Sequence, residues 1–277
     1  MKSDNRNEEM TPTRAKAPTG AEFSLSVSRA LDILSSFTVD RSELGLAEIS
    51  RAMALSKGSV SRFLQALEMH GYIDRDPRSR LYRPGPEAAR VGSLYHSAGR
   101  MREFAMPVMR ALVQRVGVTS YLSELRDDQM LILVAVEGPG PIRYTIPVGT
   151  RLPLSNTATG LVALSQMSEG EFDRTIKNIM AKPSAGNNRL TRPTLLKRLA
   201  DVRSNGYSTN WELSTPGVGS LAAPVAATDG SALCVLSVGF ATSQIKKDQL
   251  EVLGRDLKKA ANQLAKVFAE KGIDRVE

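Results

Sequence analysis

Between Ser56 and Gln65 the chain reads SKGSVSRFLQ, and its chemically active side chains are Ser56, Lys57, Ser59, Ser61, Arg62 and Gln65. Serine hydroxyls and a carboxamide can bond to base edges or phosphate oxygens. Lys57 and Arg62 can neutralise phosphates or pair with guanine, and Gly58 lets a backbone approach closely. This is chemistry for holding an anionic polymer, not for making or breaking bonds. Downstream, Arg78 and Arg80 flank the turn in RDPRSR and suit adjacent phosphates or a narrow minor groove. Arg29, on the outer side of an earlier helical segment, joins this set of candidate contacts.

A second set consists of hydroxyls on small or apolar segments: Thr157 and Thr159 in SNTATG, Ser220 in GVGSLAAPVA, and Ser237 in ALCVLSVGF. SNTATG opens a helix with free backbone N–H groups and small side chains, a ready place for a carboxylate. A serine at an alternating strand position can face a cavity. Each also has a plainer reading, since a strand serine is often satisfied by backbone or water and either threonine can simply cap the helix. Trp211, beside Asn210, either lines a pocket or covers the core.

Residues for enzyme chemistry are missing. His70 and His96 are the only histidines and precede the second half of the chain, so a triad or metal site near Cys234 has no local base. Cys234 is the sole cysteine and sits in the apolar run LCVLSV, which excludes an internal disulfide and a Cys-based zinc site. GPGPIR lacks the Lys-Ser/Thr of a phosphate loop. The expectation is a non-enzyme with no cofactor and no metal. The alternatives from other classes are an enzyme carrying an accessory DNA-binding domain and a DNA-binding protein without an effector. RNA binding is disfavoured by the lack of an aromatic stacking platform.

The elements that must position these residues follow from periodicity. SVSRALDILSSF (26–37) places Val27, Ala30, Leu31, Leu34 and Phe37 on one helical face. A second helix runs from about Leu46 to Met53, and Ser56 N-caps a third whose buried face is Val60, Phe63, Leu64 and Leu67, ending near His70-Gly71. YIDR and RLYRPG around DPRS form a hairpin. Helix, short turn, helix, hairpin is the order of a winged helix-turn-helix, whose second motif helix enters a major groove about 12 Å wide.

From Gly85-Pro86 a helical pattern is broken near Gly99 and at Pro107. It gives a connector helix over 86–100, and then the second domain. There the strand candidates are TSYLSELR, MLILVAVE, IRYTIPV, GVGSLAAPVA and ALCVLSVGF. Helices are expected at TATGLVALSQ, EGEFDRTIKNIM and TLLKRLADVRSNG, with a long C-terminal helix striped by Leu250, Leu253, Leu257, Ala261, Leu264 and Phe268. The fold class is α+β, with a mixed α/β second domain.

Length and charge agree. At 277 residues the chain suits about two domains, and no apolar run is long enough to span a membrane. Net charge is +8, and residues 51–100 hold nine Lys/Arg against four Asp/Glu, so basic charge gathers around the helix pair. The opening 22 residues read as a disordered tail without a signal-peptide core, and a cytoplasmic location follows.

These motifs resemble the IclR-type bacterial transcriptional regulators. LSKGSV (55–60) is similar to the Leu-Pro-Lys-Ser-Thr-Val-like start of the family's recognition helix. GTRLPLSNTATGLVAL (149–164) resembles its Gly-x-Arg-Leu-Pro-Leu-His-Ala-Thr-Ala-x-Gly-Lys segment, and 206–240 resembles its Gly-Tyr, Glu, Gly-x-x-x-x-Ala-Ala-Pro-Val and Leu-Ser-Val signature. The resemblance covers roughly residues 24–271.

It implies a winged helix-turn-helix domain over 23–85, then the connector, and a GAF-like effector-binding and oligomerisation domain over 101–277. It further implies a homodimer or homotetramer that binds palindromic operator DNA as repressor or activator and answers to a carboxylate or aromatic metabolite. Carried over as effector contacts are Leu152, Ala158, Thr159, Asn210, Ser220, Ser237 and Gly239. Four departures stand out. Ala54 replaces the usual turn glycine, at a cost on the order of 1 kcal/mol if the backbone there is left-handed. Ser155 and Leu161 replace His and Lys, and Gly58 replaces Ser or Thr.

Overall fold

A computed structural model describes residues 25–38, 41–93, 97–141, 143–181 and 191–273. The expected N-terminal tail, 1–22, lies outside them. The chain divides into two compact units, with the boundary in sequence between Tyr95 and His96.

The first unit contains α1 (Leu25–Ser35), α2 (Leu46–Ala52), α3 (Lys57–Met69), the two-stranded ribbon β1 (Ile73–Arg75) and β2 (Tyr82–Pro84), and α4 (Pro86–Ser93). Ile33, Ile49, Val60, Leu64, Leu67, Ile73 and Tyr82 make its core. Leu44 exchanges two backbone hydrogen bonds of 2.9 Å with Tyr82, tying the loop before α2 to the ribbon. Glu48 accepts from the Gly45 N–H at 2.7 Å and Ser56 accepts from the Ser59 N–H at 3.3 Å, so α2 and α3 both start on side-chain caps. α1 turns differently from the periodicity reading. Val27 and Leu31 are each 57% exposed, and Ile33 is the buried residue. The helix presses only a narrow strip onto α3, and the 26–37 pattern is apolar over more of its circumference than that strip uses.

The second unit holds a six-stranded sheet of order β5-β4-β3-β8-β7-β6 with every pair antiparallel. Its strands are β3 (Thr119–Arg126), β4 (Gln129–Val136), β5 (Arg151–Pro153), β6 (Ser208–Trp211), β7 (Val218–Ala226) and β8 (Ala232–Ala241). α5 (Ser97–Val116) and α9 (Leu250–Glu270) cover one face. There Leu253, Leu257, Ala261, Leu264 and Phe268 meet Leu221, Leu236, Val238 and Phe240. α6 (Ala158–Gln166), α7 (Glu169–Ala181) and α8 (Arg192–Asn205) cover the other, packing on Met130, Ala222 and Val235. Cys234 is buried in the first of these cores, and burial pushes its thiol well above the usual range, so it is inert packing.

Three expectations about elements give way. α5 runs unbroken through Gly99 and Pro107, so no helix break separates 100 from 101. α4 ends at Ser93, and residues 94–96 are outside those described. Met101, Ala105, Val108, Met109 and Leu112 bury one continuous face, and this packing outweighs the roughly 3 kcal/mol that an interior proline costs. IRYTIPV is no strand: its described part, 143–148, is irregular, because β4's outer edge at 129–132 is taken by 149–153. β5 and β6, which the period-2 pattern does not reveal, are edge strands of three and four residues.

Ala54, in the turn between α2 and α3, has φ +52°. An L-residue there carries about 1–2 kcal/mol of strain, partly offset because glycine would loosen the unfolded chain. Ala54→Gly should therefore stabilise the first unit by up to about 1 kcal/mol, seen as a higher urea midpoint of its transition. A lower midpoint would show that the turn is unstrained.

Candidate functional site

The exposed start of α3 carries Ser56, Lys57 and Gly58, followed by Arg62 and Gln65 on the outward side; Ser59 and Ser61 are half-buried. Val60 and Leu64 alternate with them into the core, so a 3.6-residue period divides the helix into a packed face and a free one. The Ser56 hydroxyl donates to the Ser59 hydroxyl at 3.0 Å, giving Ser59 a fixed rotamer. At Gly58 an added Cβ would meet nothing within 4 Å, so the first turn of α3 is open to a large partner.

At the tip of the β1–β2 ribbon, the Asp76 carboxylate accepts from the Arg78 and Ser79 N–H groups at 2.8 and 2.7 Å, which holds its pKa below the ordinary carboxylate value. Arg80 closes the turn with φ +58° and its N–H on the Asp76 carbonyl. Arg78 and Arg80 are both exposed on this fixed tip. Arg29 is half-buried on α1, a different element from either.

In the second unit, a cavity of about 250 Å³ lies on the sheet face covered by α6. Alternation builds its floor. Ser237 and Gly239 on β8 face opposite to Leu236 and Phe240, and register places Tyr121 across from Ser237 and Ser220 across from Gly239. The roof at one end is the start of α6, where Thr157 caps the helix by accepting from the Gly160 N–H at 3.1 Å and donating to the Pro153 carbonyl at 2.7 Å. This leaves the Ala158 and Thr159 N–H groups without helical partners.

The remaining wall is the 143–148 strap. Tyr121 fastens it: its hydroxyl donates to the Tyr144 carbonyl at 2.6 Å and accepts from the Ile146 N–H at 3.0 Å. Burial pushes the Tyr121 pKa up to about 12, which keeps the phenol a donor. A Cβ at residue 239 would come within 3.2 Å of Tyr144 and Tyr121, so Gly239 makes room for both rings.

Of the seven residues carried over as effector contacts, Leu152, Ala158, Thr159, Ser220, Ser237 and Gly239 line this cavity. Asn210 does not. Its Nδ2 donates to the Asn156 carbonyl at 2.8 Å and to Ser214, and its Oδ1 accepts from the Leu213 N–H at 3.0 Å, so it is spent on holding the loops that form the wall. Ser208 does similar work through the Ala158 carbonyl at 2.6 Å. Trp211 packs on Phe240 with Lys247 over its ring and lines no part of the cavity.

The residue reading also missed Tyr121, Ile132, Tyr144, Ile146, Asn156, Ser214 and Thr215, which are lining residues. Tyr121 had a signal, an aromatic two residues from a hydroxyl on an alternating strand. The strap residues had none that separates them from a strand. Asn156 leaves its Oδ1 buried and without a hydrogen-bond partner among the described residues, a situation that costs roughly 1–3 kcal/mol. Among the described residues that line the cavity, none is charged at neutral pH.

A winged helix-turn-helix with a basic, open-faced recognition helix, followed by an antiparallel sheet domain that holds a cavity, defines the class of DNA-binding proteins with a separate cavity-bearing domain. The family profile described as "Bacterial transcriptional regulator IclR C-terminal" matches residues 94–266, and "IclR helix-turn-helix domain" matches 26–77. The chain belongs to the IclR family of DNA-binding transcriptional regulators.

Among its relatives, the HTH-type transcriptional regulator XynR of Escherichia coli (strain K12) is 29% identical over 244 residues, covering 88% of this chain and 96% of its own. The transcriptional repressor IclR of the same organism is 24% identical over 262 residues, covering 93% and 94%. Both relatives are transcriptional regulators. An IclR homolog from Microbacterium hydrocarbonoxydans, solved in complex with 4-hydroxybenzoate, has TM-score 0.68 at 22% identity, over 87% of this chain and 99% of that one. A regulator from Alicyclobacillus acidocaldarius has TM-score 0.73 at 26% identity, over 87% and 98%. Among the described residues no helix is long and apolar enough to cross a membrane.

Tyr121→Phe should remove both strap hydrogen bonds and destabilise the second unit by roughly 1–2 kcal/mol in urea. Because burial raises the folded phenol's pKa from its ordinary 10.0 to about 12, its contribution is complete below pH 10 and is lost as pH rises through 12. The wild type should shed this stability over that window, and the Phe variant should lose less, keeping only the loss due to Tyr144, whose pKa burial also raises.

Proposed function

We propose that this protein regulates transcription in response to a small monocarboxylate held in the second unit's cavity. The carrying observation is the cavity's wall. It offers two amides at the α6 start that no helical carbonyl takes, the hydroxyl-bearing Thr159, Ser220 and Ser237, and apolar Ile132, Ile146 and Leu152, and among the described lining residues none is charged. Backbone amides and hydroxyls at a helix start suit one carboxylate. A second negative charge would have no cation to meet, which disfavours dicarboxylates and phosphate esters. A cavity of about 250 Å³ is the size of a small ligand, well beyond the roughly 30 Å³ that one water takes up in the liquid. An aromatic monocarboxylate of the kind bound by the Microbacterium homolog is of that size.

In this reading Ser56, Lys57, Ser59, Ser61, Arg62 and Gln65 contact the major groove, Arg78 and Arg80 reach phosphates or the minor groove, and Arg29 contacts the backbone. A homodimer, or a dimer of dimers, would present two such heads to half-sites about 34 Å apart. Val27 and Leu31, exposed one turn apart on α1, support association with a second copy. The effector would act by favouring one packing of strap and α6 on the sheet, and α4 with the start of α5 would carry the change to the reading heads.

Two measurements test this. Arg62→Ala should weaken operator binding and lower its log–log salt slope by about one; binding with an unchanged slope would remove Arg62 from the interface. At a hundredfold excess over Kd, a bound carboxylate should stabilise the wild type by about 2.7 kcal/mol, raising its Tm by several degrees. Ser237→Trp fills the cavity and should abolish that rise, and a rise retained in the variant would place the effector elsewhere.

A further inference from the structure

We infer that Asn156 selects among carboxylates by accepting a hydrogen bond from a hydroxyl on the ligand's body, so that the effector is a hydroxy-carboxylate. This rests on the reading of the cavity as a carboxylate site and adds the ligand's second polar group. Asn156 stands one residue ahead of the α6 cap, beside the amides that would receive the carboxylate. Its backbone is pinned, because its carbonyl accepts from Asn210 Nδ2 at 2.8 Å and Asn210 is held in turn by Leu213 and Ser214. Asn156 is one of the lining residues, while its Oδ1 has no accessible surface and receives no donor from the described protein, so the carboxamide must turn to present that oxygen to the cavity.

The other fixed polar groups of the wall are already engaged: the Tyr121 hydroxyl donates and accepts, and so does the Thr157 hydroxyl. A buried acceptor left empty weighs against the unliganded cavity, and only a donor relieves it. The carboxamide turns in a broad well about its Cβ–Cγ bond, so the oxygen can meet a donor brought into the cavity while the backbone stays fixed. A deoxy ligand would leave that oxygen unpaired, and sites organised around such a group reject the analogue that lacks it. The corresponding position of the family segment quoted above is Ala, so this acceptor is a feature of the present chain.

The test is a titration of the full-length protein with matched pairs: 4-hydroxybenzoate and benzoate, mandelate and phenylacetate, lactate and propanoate. Binding is read by thermal shift and by the fluorescence of Trp211, the sole tryptophan. In the wild type at least one hydroxy member should bind about tenfold or more tightly than its deoxy partner. In Asn156→Ala the two should fall within about twofold, with the deoxy Kd nearly unchanged. Asn156→Asp keeps an acceptor oxygen at the same place, so it should preserve the hydroxyl preference while weakening both members through charge repulsion. Asn156→Leu supplies the loss of preference if the Ala variant does not fold. Ratios within twofold for every pair in the wild type, or a preference that survives in the Ala or Leu variant, overturn the role of Asn156. If no member of any pair binds the wild type, the carboxylate reading itself fails and this assignment falls with it.

Discussion

Side-chain alternation along β8 is the constraint on which the second unit depends. Even-numbered Cys234, Leu236, Val238 and Phe240 enter the core under α5 and α9, while odd-numbered Val235, Ser237 and Gly239 face α6. β8 is paired on both edges, with β3 and with β7. A slip of one residue would put Ser237 into the hydrocarbon core and Phe240 into the cavity, so the pleat separates packing from binding as it forms. Burial at 0% for Leu236, Val238 and Phe240 anchors that register. The small residues on the opposite side are what leave room for a cavity.

The cavity is closed by side-chain bonds where ladders end. Ser208 and Asn210 on edge strand β6 hold the start of α6, and Tyr121 on β3 holds the strap. Each reaches a backbone carbonyl that has no partner in the sheet. A strand added at 143–148 would satisfy the same backbone, but it would flatten the strap against the sheet edge and leave the cavity without a wall. A single phenol with two hydrogen bonds holds the segment in place more locally than a ladder does, and can release it at smaller cost.

The parts legible in the sequence are those governed by local rules. The α2–α3 pair reads directly because caps, a short turn and 3.6-residue spacing all lie within a few residues of one another. The long strands read because their alternation is strict. What did not read depends on distant partners. The strap has the composition of a strand, and only the occupation of β4's edge by 149–153 makes it something else. Gly99 and Pro107 look like helix breaks until a whole face of α5 is buried against α9 and the sheet. Six of the carried-over contacts reached the cavity wall through motif position, whereas Asn210 needed its three hydrogen bonds to show that it positions other residues. Ala54 is the converse case: its identity is a local violation, and its φ of +52° shows that the turn keeps a left-handed residue where the side chain is unfavourable.

The uncharged wall bears on how such a sensor stays folded when empty. A buried guanidinium would recognise a carboxylate strongly, but in the unliganded protein it would be a desolvated charge without a partner, a penalty of several kcal/mol even after relaxation. Hydroxyls and helix-start amides escape most of that penalty, because a hydroxyl rotates toward a carbonyl or water and an amide dipole belongs to the helix whether or not an anion is present. In the proposed reading such a site would trade affinity for a stable unliganded protein, as a regulator that must populate both states requires. Asn156 is the exception in that wall. Its backbone is fixed by Asn210 and its Oδ1 has no partner among the described residues, so under the proposed assignment a ligand hydroxyl that meets it would gain more from the cavity than a carboxylate alone could supply.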